Sequence, residues 1–381
     1  MATAEQMASK PLDLAAADPW PTRSLQPISG RQAGARAFTI QSGLSTIRNF
    51  LGRPPADIAT RAIERWTIAP KGCVSVRPAK FLDGQLERIR GASFGTIEDA
   101  IRDFRGGYDA PQLPTLGFRL KDVSLIDGVL YSANTTRHLR RRSSRSPAAV
   151  VPREHTTGSL YESWSGNRWF GNWLFDDCLA YPLAANHGPV VSSSTAEPGG
   201  HRAAYELLLD MRPRAVSSAW FDELFLFDDT SHNDFKRERA DQFRQQLVGG
   251  TIQNHPGVFL LRGSSGDPRV LANERDIADR LAAKRGFRTL DVAHASLDQI
   301  IADCSGAAVV AGVEGSHLVH GLMLMPPGAR LLTIQPPQRA VSVLKIMTDR
   351  QEQDFSLVVG VGPDACFWAD PDEVERTLDL V

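Results

Sequence analysis

The chain has 381 residues, of which 42% are hydrophobic and 23% are charged. This usage is ordinary for globular proteins and argues against a wholly disordered or collagen-like chain. Lys and Arg total 43 and Asp and Glu total 44, so the formal net charge is -1. No overall basicity therefore recruits nucleic acid or an anionic membrane. A chain of this length predicts about two domains.

The cysteines and the apolar stretches indicate a cytoplasmic protein. The four cysteines lie far apart and none forms a C-x-x-C pair, so we expect neither a disulfide framework nor a zinc knuckle. The N-terminus carries acidic residues and lacks the apolar run of roughly 7–15 residues that a signal peptide needs. The most apolar stretch, residues 307–325, is interrupted by Glu314, His317 and His320. We therefore expect no integral membrane segment.

The first half of the chain gives weak signals. Residues 1–45 are rich in Ala, Ser, Gln, Gly and Pro, which predicts a mobile tail. Short apolar pieces at Cys73–Val76 and Val123–Ile126 predict strands, and Ile97–Phe104 has a helical pattern. Asp127-Gly128 predicts a hairpin turn.

A basic run extends from Arg137 to Arg145. Such a run can bind an anion or nucleic acid, but no aromatic residues are interleaved for stacking on bases. We interpret it as a solvated loop and expect no nucleic-acid partner.

Strands and helices alternate in the second half. The predicted strands are Glu223–Phe227, Val258–Leu261, Arg288–Val292, Ala307–Gly312 and Ala329–Ile334. The predicted helices are Asp234–Leu247, Leu271–Lys284, Ser296–Cys304, Gly315–Met325 and one that begins at Asp370. This alternation indicates parallel β-α-β units and an α/β fold class.

The turn after the strand Ala307–Gly312 is a candidate ligand site. In a parallel sheet, ligands bind beyond the carboxyl ends of the strands. The backbone N–H groups of Gly315 and Ser316, at a helix start, suit a phosphate. The sequence there is neither a P-loop nor a G-x-G-x-x-G fingerprint.

Glu314, His317 and His320 follow one another at i, i+3 and i+6. On a continuous helix they would share one face. Three interpretations stay open, namely a metal site, polar packing against a neighbouring domain, and contact with a phosphate or sugar. We expect no metal, since neither an H-E-x-x-H pattern nor a clear further ligand is present.

A second candidate turn follows the strand Val258–Leu261. It contains Arg262 and Arg269 around a Gly/Ser loop, followed by Asn273-Glu274. Guanidinium groups bind phosphate oxygens bidentately, so this loop suits a diphosphate. Arginines in surface loops are common, and this alternative also stays open.

A third constellation lies upstream in the segment Trp169–Asp177. It combines aromatic residues with Asn172, Asp176 and Asp177. Aromatic rings and carboxylates suit sugar binding, whereas a plain helix with Trp173 in the core and the carboxylates at a solvated edge is the alternative. Asp370-Pro371-Asp372 has the pattern of a metal-binding D-x-D, but we interpret it as a helix start.

These segments together resemble glycosyltransferase family 61, a group that includes plant β-1,2-xylosyltransferases and bacterial capsular-polysaccharide proteins. The likeness covers residues 169–337, under half of the chain, and we expect a member of the bacterial capsular-polysaccharide type. The matching features are Asn172-Trp173-Leu174-Phe175-Asp176, Arg262, Arg269, Asn273-Glu274, Ser296-x-x-Gln299, the turn from Gly312 to His320, and Pro327-Gly328.

The resemblance implies a GT-B-like fold, in which two Rossmann-like domains face each other across a cleft. We expect domains at residues 46–248 on the acceptor side and 249–365 on the nucleotide-sugar side, followed by a C-terminal helix at 366–381. It further implies an inverting, metal-independent hexosyl- or pentosyltransferase without a cofactor. The partners are a nucleotide-sugar donor and a glycan or polysaccharide acceptor, and a homodimer stays open.

The resemblance also implies roles for individual residues. Asp176 is the first candidate for the catalytic base and Glu314 is the second. The donor-binding residues implied are Arg262, Arg269, Asn273, Glu274, Gly315, Ser316, His317 and His320, and the acceptor-side residues are Asn172, Trp173 and Asp177.

This chain departs from the family pattern at three positions. Asn172 and Glu314 stand where the family has histidines, and His320 stands where it has asparagine. A carboxylate beside a diphosphate adds repulsion unless a cation offsets it. A catalytically degenerate nucleotide-sugar binder or scaffold protein of a polysaccharide assembly is therefore the alternative function, and a Rossmann-type oxidoreductase is disfavoured by the missing glycine fingerprint.

Overall fold

The computed structural model describes residues 55–142, 152, 154–193, 199–250, 252–263, 269–363 and 365–380. All of them belong to one compact unit, Phe38–Val381. The predictions for the tail at residues 1–45 and for the end of the basic run lie outside the described residues.

A mixed sheet is built from strands of the first half, here called the first sheet. The strands in chain order are β1 (Ala56–Asp57), β2 (Glu64–Ala69), β3 (Gly72–Val76), β4 (Tyr108–Gln112), β5 (Thr115–Ile126), β6 (Val129–Ser132), β7 (Thr135–His138), β8 (Glu154–Leu160), β9 (Val190–Ser192), β10 (Arg214–Ala215) and β11 (Ser218–Asp228). In the described ranges the first sheet has the order β1-β7-β6-β5-β11-β8-β9-β10, with β2 also paired to β5. β3 and β4 pair with each other as a separate ribbon.

The centre of the first sheet is the long antiparallel pair β5–β11, in register from Ile126↔Ser218 to Leu116↔Asp228. Its buried side chains form one apolar cluster, which includes Leu120, Val123 and Phe221. The predicted hairpin turn at Asp127-Gly128 is confirmed, since β5 and β6 pair antiparallel across it. Both turn residues have positive φ, at 48° and 74°, which is the geometry of the tightest hairpin turns.

The second sheet is entirely parallel and comes from the second half of the chain. Its region contains β12 (Val258–Leu261), β13 (Val270–Leu271), β14 (Arg288–Asp291), β15 (Val309–Val313), β16 (Arg330–Gln335), β17 (Asp354–Val359) and β18 (Cys366–Phe367). The sheet has the order β14-β12-β15-β16-β17, and β13 pairs with β18 apart from it. The runs of Val, Leu and Ile in its central strands are buried on both faces, as parallel strands covered by helices require. The prediction of parallel β-α-β units is confirmed here, except that the predicted strand Glu223–Phe227 lies in β11 of the first sheet and pairs antiparallel with β5.

Helices cover the sheets and connect the parallel strands. They are Ile97–Arg105, Trp164–Arg168, Phe170–Asn172, Cys178–Ala185, Gly200–Leu208, Asp234–Val248, Glu274–Arg285, Leu297–Cys304, Leu318–Leu324, Val343–Arg350 and Pro371–Leu378, with 3-10 turns at Ile58–Arg61 and Leu86–Arg88 and a π-helical turn at Trp173–Asp177. In the described part of the chain, none of these helices combines the length and the apolar composition needed to cross a bilayer.

Two helices begin later than the sequence predicts. The helix expected from Leu271 begins at Glu274, because Leu271 pairs in β13 with β18. The helix expected from Gly315 begins at Leu318, because the preceding residues form a turn. Glu314, His317 and His320 therefore do not share one continuous helical face, and that prediction is wrong.

The chain is α/β as predicted, but only the second sheet has the parallel order of a Rossmann-like domain. The first sheet is mixed, because β5 pairs antiparallel with β2, β6 and β11. The largest apolar cluster combines residues of both halves, among them Tyr161, Trp173, Val310 and Leu344. The domain boundaries at 45, 248 and 365 stay a prediction.

The basic run is not a solvated loop over its described part. Arg137 lies in β7, next to the edge strand β1, and pairs with Asp57 at 2.7 Å and Asp228 at 2.9 Å. Arg140 pairs with Asp127 at 3.2 Å. These charges hold the edge of the first sheet together.

A buried ionic network connects the end of β11 to the helix Asp234–Val248. Both Asp229 oxygens accept from Arg239 Nη2, at 2.8 and 2.9 Å. Lys236 Nζ donates to the Asp229 carbonyl oxygen at 2.8 Å and to the carboxylate of Asp176. The network thereby orients this helix against the segment Trp169–Asp177.

We predict that Asp229→Ala destabilises the fold by about 3–5 kcal/mol, because Arg239 is left buried without its counter-ion. Urea unfolding followed by circular dichroism measures this loss. Asp241→Ala is the matched control, since it removes a half-exposed carboxylate that pairs with Arg244 on the same helix, and it should cost about 0.5 kcal/mol or less. Equal losses in the two variants would contradict the prediction.

Candidate functional site

Two arginines converge on the turn after β15, at the carboxyl edge of the second sheet. Arg262 follows β12 directly, and Arg269 lies beyond the next loop. A Cβ atom added to Gly315 would lie 3.2 Å from Arg269 Nη2 and 3.4 Å from Arg262 Nε. Both guanidinium groups therefore reach the turn, and glycine at position 315 gives them room.

Glu314 shares this site with Arg269. Arg269 Nε donates to the Glu314 carbonyl oxygen at 3.0 Å and lies 3.4 Å from its carboxylate Oε2. The Nη1 atom of the same guanidinium is also buried, but it has no hydrogen-bond partner among the described residues. The site thus contains one buried N–H donor, on Arg269, that makes no hydrogen bond within the described part of the chain.

Burial and the neighbouring Arg269 lower the pKa of Arg262 to about 10. The guanidinium stays protonated at neutral pH, so the site keeps its positive charge. Arg339 also contributes to this shift, which places a third cation near the pair. Sequence analysis missed Arg339, although its position shortly after β16, at the same sheet edge, was a usable signal.

Glu274 holds the backbone at Arg262 and Gly263 in place. Glu274 Oε1 accepts from the Arg262 backbone N–H at 2.8 Å, and Oε2 accepts from that of Gly263 at 2.9 Å. Asn273 Nδ2 donates to the Ala369 carbonyl oxygen at 2.7 Å. Of the two predicted donor-binding residues, Glu274 therefore positions the Arg262 backbone, whereas Asn273 connects its segment to the chain just before the last helix.

Ser316 and His317 are half-buried at the turn itself. A Cβ on Gly315 would lie 3.1 Å from His317 Nδ1, so this ring packs beside the arginines. Burial, Arg262 and Arg269 lower the pKa of His317 to about 3. The imidazole is therefore neutral at physiological pH and offers hydrogen bonds rather than charge.

His320 lies one turn further along, among aromatic rings. Its Nδ1 is 2.9 Å from the hydroxyl of Tyr205, and its ring centroid is 4.7 Å from that of Phe170. Burial lowers the pKa of His320 well below its ordinary value. The structure therefore surrounds His320 with core residues and does not bring it to the arginines.

The candidate metal ligands are engaged in other contacts. Asp370 caps the last helix by accepting from the Asp372 N–H at 2.9 Å, as predicted, and Asp372 pairs with Arg280. Within the described ranges, no cluster of three or more His, Cys, Asp and Glu side chains could hold a metal ion.

The upstream segment packs directly against the turn after β15. A Cβ on Gly171 would lie 2.9 Å from Val319 Cγ2 and 3.5 Å from Ser316 Oγ. Two segments that are about 145 residues apart in sequence thus meet, and a side chain at position 171 would separate them. The first and third constellations of the sequence form one structural unit.

Trp173 and Asp177 are core residues. The Trp173 ring packs edge-on against Tyr205 at 6.3 Å and has the Arg202 guanidinium 5.0 Å above its face. Asp177 accepts from the N–H and hydroxyl of Ser163, at 3.1 and 2.6 Å, and burial raises its pKa well above the ordinary value. Trp173 thus matches the alternative that the sequence left open, a helix with this ring in the core, whereas Asp177 is buried and does not lie at a solvated edge.

Asp176 has a partner at each oxygen. Asn172 Nδ2 donates to Oδ2 at 2.9 Å and Lys236 Nζ donates to Oδ1. Burial favours the protonated carboxyl, but Lys236, His232 and Asn172 outweigh it and lower the pKa of Asp176 below its ordinary value.

The contacts of Asp176 lead away from the arginines. Its partner Lys236 lies in the first turns of Asp234–Val248, where Asp234 lies 3.4 Å from Arg350, which shortly precedes β17. Residues that precede a strand lie at the amino edge of a parallel sheet, opposite the ligand-binding edge.

Comparison with known proteins identifies one family. Residues 148–332, a little under half of the chain, match the family model described as Glycosyltransferase 61. No curated protein matches the chain.

Among solved structures, the flavodiiron protein from Giardia intestinalis matches with 9% identity and a TM-score of 0.24. The match covers 70% of this chain and 62% of that protein, so the chain spans less than two thirds of its length. A likeness this weak carries no argument about fold or function. The family match stands apart from it, since residues 148–332, which the Glycosyltransferase 61 model matches, include the upstream segment and the arginine turn.

Proposed function

We propose that this protein is a glycosyltransferase that moves a sugar from a nucleotide-sugar donor to a glycan or polysaccharide acceptor. The family match supports the reaction class. The observation that carries the proposal is the convergence of Arg262 and Arg269 on Gly315 at the carboxyl edge of the second sheet. This arrangement suits a diphosphate, because guanidinium groups bind phosphate oxygens bidentately.

The proposed step is inverting and uses no metal. The acceptor hydroxyl loses its proton to a base, its oxygen attacks the anomeric carbon, and the bond from that carbon to the diphosphate oxygen breaks. The bonding electrons leave with the diphosphate, so negative charge develops where Arg262 and Arg269 lie. Fixed positive charge in a buried site stabilises such a transition state.

Two carboxylates are proposed for the base. Asp176 is the first, and its ion pair with Lys236 keeps it deprotonated. Glu314 is the second, and it lies with the arginines, 3.4 Å from Arg269 Nε. A base must reach the proton that it abstracts, which favours Glu314 by position and Asp176 by ionisation.

A nucleotide-sugar binder without transferase activity is the second candidate function. The Glu314–Arg269 pair favours it, because this carboxylate offsets positive charge beside the proposed diphosphate. Binding of a nucleotide sugar without turnover would select this alternative. The bacterial capsular type, the hexosyl or pentosyl specificity, the cytoplasmic location and the homodimer stay predictions.

We predict that Arg262→Ala lowers donor turnover by about 10²–10³-fold, because it removes one cation at the leaving group. Hydrolysis or transfer of UDP-, GDP- and CMP-sugars by the purified chain measures the loss. Arg330→Ala is the control, since Arg330 begins β16 at the amino edge of the same sheet. Wild-type turnover in Arg262→Ala would remove this residue from the site.

Glu274→Ala should destabilise the fold by about 1–3 kcal/mol, because two backbone N–H groups lose their acceptor. It should also weaken nucleotide binding, since the loop no longer fixes Arg262. Urea unfolding and calorimetry with UDP, GDP and CMP measure the two effects. Asp276→Ala, an exposed acidic residue in the same helical turn, is the control. Unchanged stability would show that the loop does not depend on Glu274.

Glu314→Gln and Asp176→Asn test which carboxylate accepts the proton. The variant that removes the base should lose about 10²–10⁴-fold in kcat, and the other variant should lose much less. If Asp176 is the base, activity should not fall between pH 8 and 5, because its lowered pKa keeps it ionised over this range. Near-normal kcat in both variants would exclude both residues as the base.

A further inference from the structure

Two aromatic side chains meet at the rim of the arginine site. The ring centroids of Phe94 and Trp169 are 5.7 Å apart, and the rings are nearly perpendicular, at 87°. Phe94 is 48% exposed, which is high for a large apolar ring. Trp169 is half-buried and has the exposed Arg168 guanidinium 4.5 Å above its ring. The described chain thus presents an aromatic surface with a hydrogen-bond donor beside it.

Backbone hydrogen bonds connect the segment just before Phe94 to the loop that carries Arg339. The Ser93 N–H donates to the Ala340 carbonyl oxygen at 3.2 Å, and the Ala340 N–H donates to that of Gly91 at 2.9 Å. Ala340 directly follows Arg339, whose charge acts on Arg262. Phe94 is therefore held within a few residues of the proposed diphosphate site.

Trp169 is connected to the arginine site through Gly171. Gly171, two residues later, packs against Ser316 in the turn that Arg262 and Arg269 reach. The pair therefore bridges the loop after β16 and the turn after β15. Neither residue lies in the second sheet, since both belong to segments that precede β12 in the chain.

We propose that Phe94, supported at a right angle by Trp169, is a platform on which a saccharide ring of the acceptor stacks, with Arg168 donating to its hydroxyls. This inference rests on the proposed function and adds the acceptor subsite to it. The apolar C–H face of a pyranose matches the negative face of an aromatic ring. A guanidinium offers up to five donors to hydroxyl oxygens.

The position favours a saccharide over the nucleobase of the donor. The arginines that would hold the diphosphate follow strands of the second sheet, whereas the platform comes from residues 94 and 169, on the facing segments. The subsite also replaces Trp173 and Asp177, which the sequence placed on the acceptor side and which are core residues.

Saturation-transfer NMR on the full chain tests the platform with xylotriose, cellotriose and chitotriose as probes. We expect transfer to the axial ring protons of at least one trisaccharide. Phe94→Ala and Trp169→Ala should weaken this binding about three- to tenfold, and Phe94→Tyr should restore it. Trp220→Ala is the matched control, since it removes a half-exposed indole that packs against His155 in the first sheet.

Calorimetry with UDP, GDP and CMP on the same variants separates this inference from the proposed function. Nucleotide affinity should be equal in wild type, Phe94→Ala and Trp169→Ala. No transfer to any trisaccharide in wild type, or unchanged transfer in both alanine variants, would overturn the platform. Weaker nucleotide binding with unchanged saccharide signals would assign the rings to the nucleobase instead. If no nucleotide binds to wild type while Phe94→Ala loses the saccharide, the platform stands and the donor site fails.

Discussion

The close approach of two buried guanidinium groups at Gly315 is the constraint on which the candidate site depends. Arg262 and Arg269 are each only 8% exposed, and like charges in such a place repel and lose hydration. The carboxylates of Glu274 and Glu314 offset this cost, the first through backbone N–H groups and the second through Arg269 Nε. The protein therefore maintains positive charge before any ligand binds, and an oxyanion that enters meets oriented donors.

The site is completed by a contact between segments far apart in sequence. Gly171 lets the helix Phe170–Asn172 touch the turn at Ser316 and Val319. The π-helical turn that follows places Asp176 against Lys236, and the Asp229–Arg239 pair fixes the helix to which Lys236 belongs. The upstream segment thus has two anchors, one at the arginine turn and one at the helix Asp234–Val248. Asp176 lies between these two anchors and accepts from Asn172 and Lys236.

The sequence predicts those parts of the structure that depend on local patterns, and it does not predict those that depend on contacts between residues far apart in the chain. The strands β12, β15 and β16 are visible as apolar runs between helix caps, because burial on both faces dictates their composition. The order of the first sheet is not visible, since strands as short as β10 carry no alternation and are fixed by partners far along the chain. The roles of Arg339 and Lys236 could not be predicted for the same reason. Lys236, for example, pairs with a carboxylate 60 residues earlier in the chain.

Glu314, a carboxylate where the family pattern has histidine, does not cancel the positive charge of the arginine site. A guanidinium has two edges, and bidentate binding of an oxyanion uses one of them. Glu314 contacts Arg269 at Nε, whereas Nη2 lies toward Gly315 and Nη1 has no hydrogen-bond partner in the described ranges. The carboxylate and a diphosphate can therefore occupy different edges of the same side chain. In that geometry Glu314 orients Arg269 toward the turn.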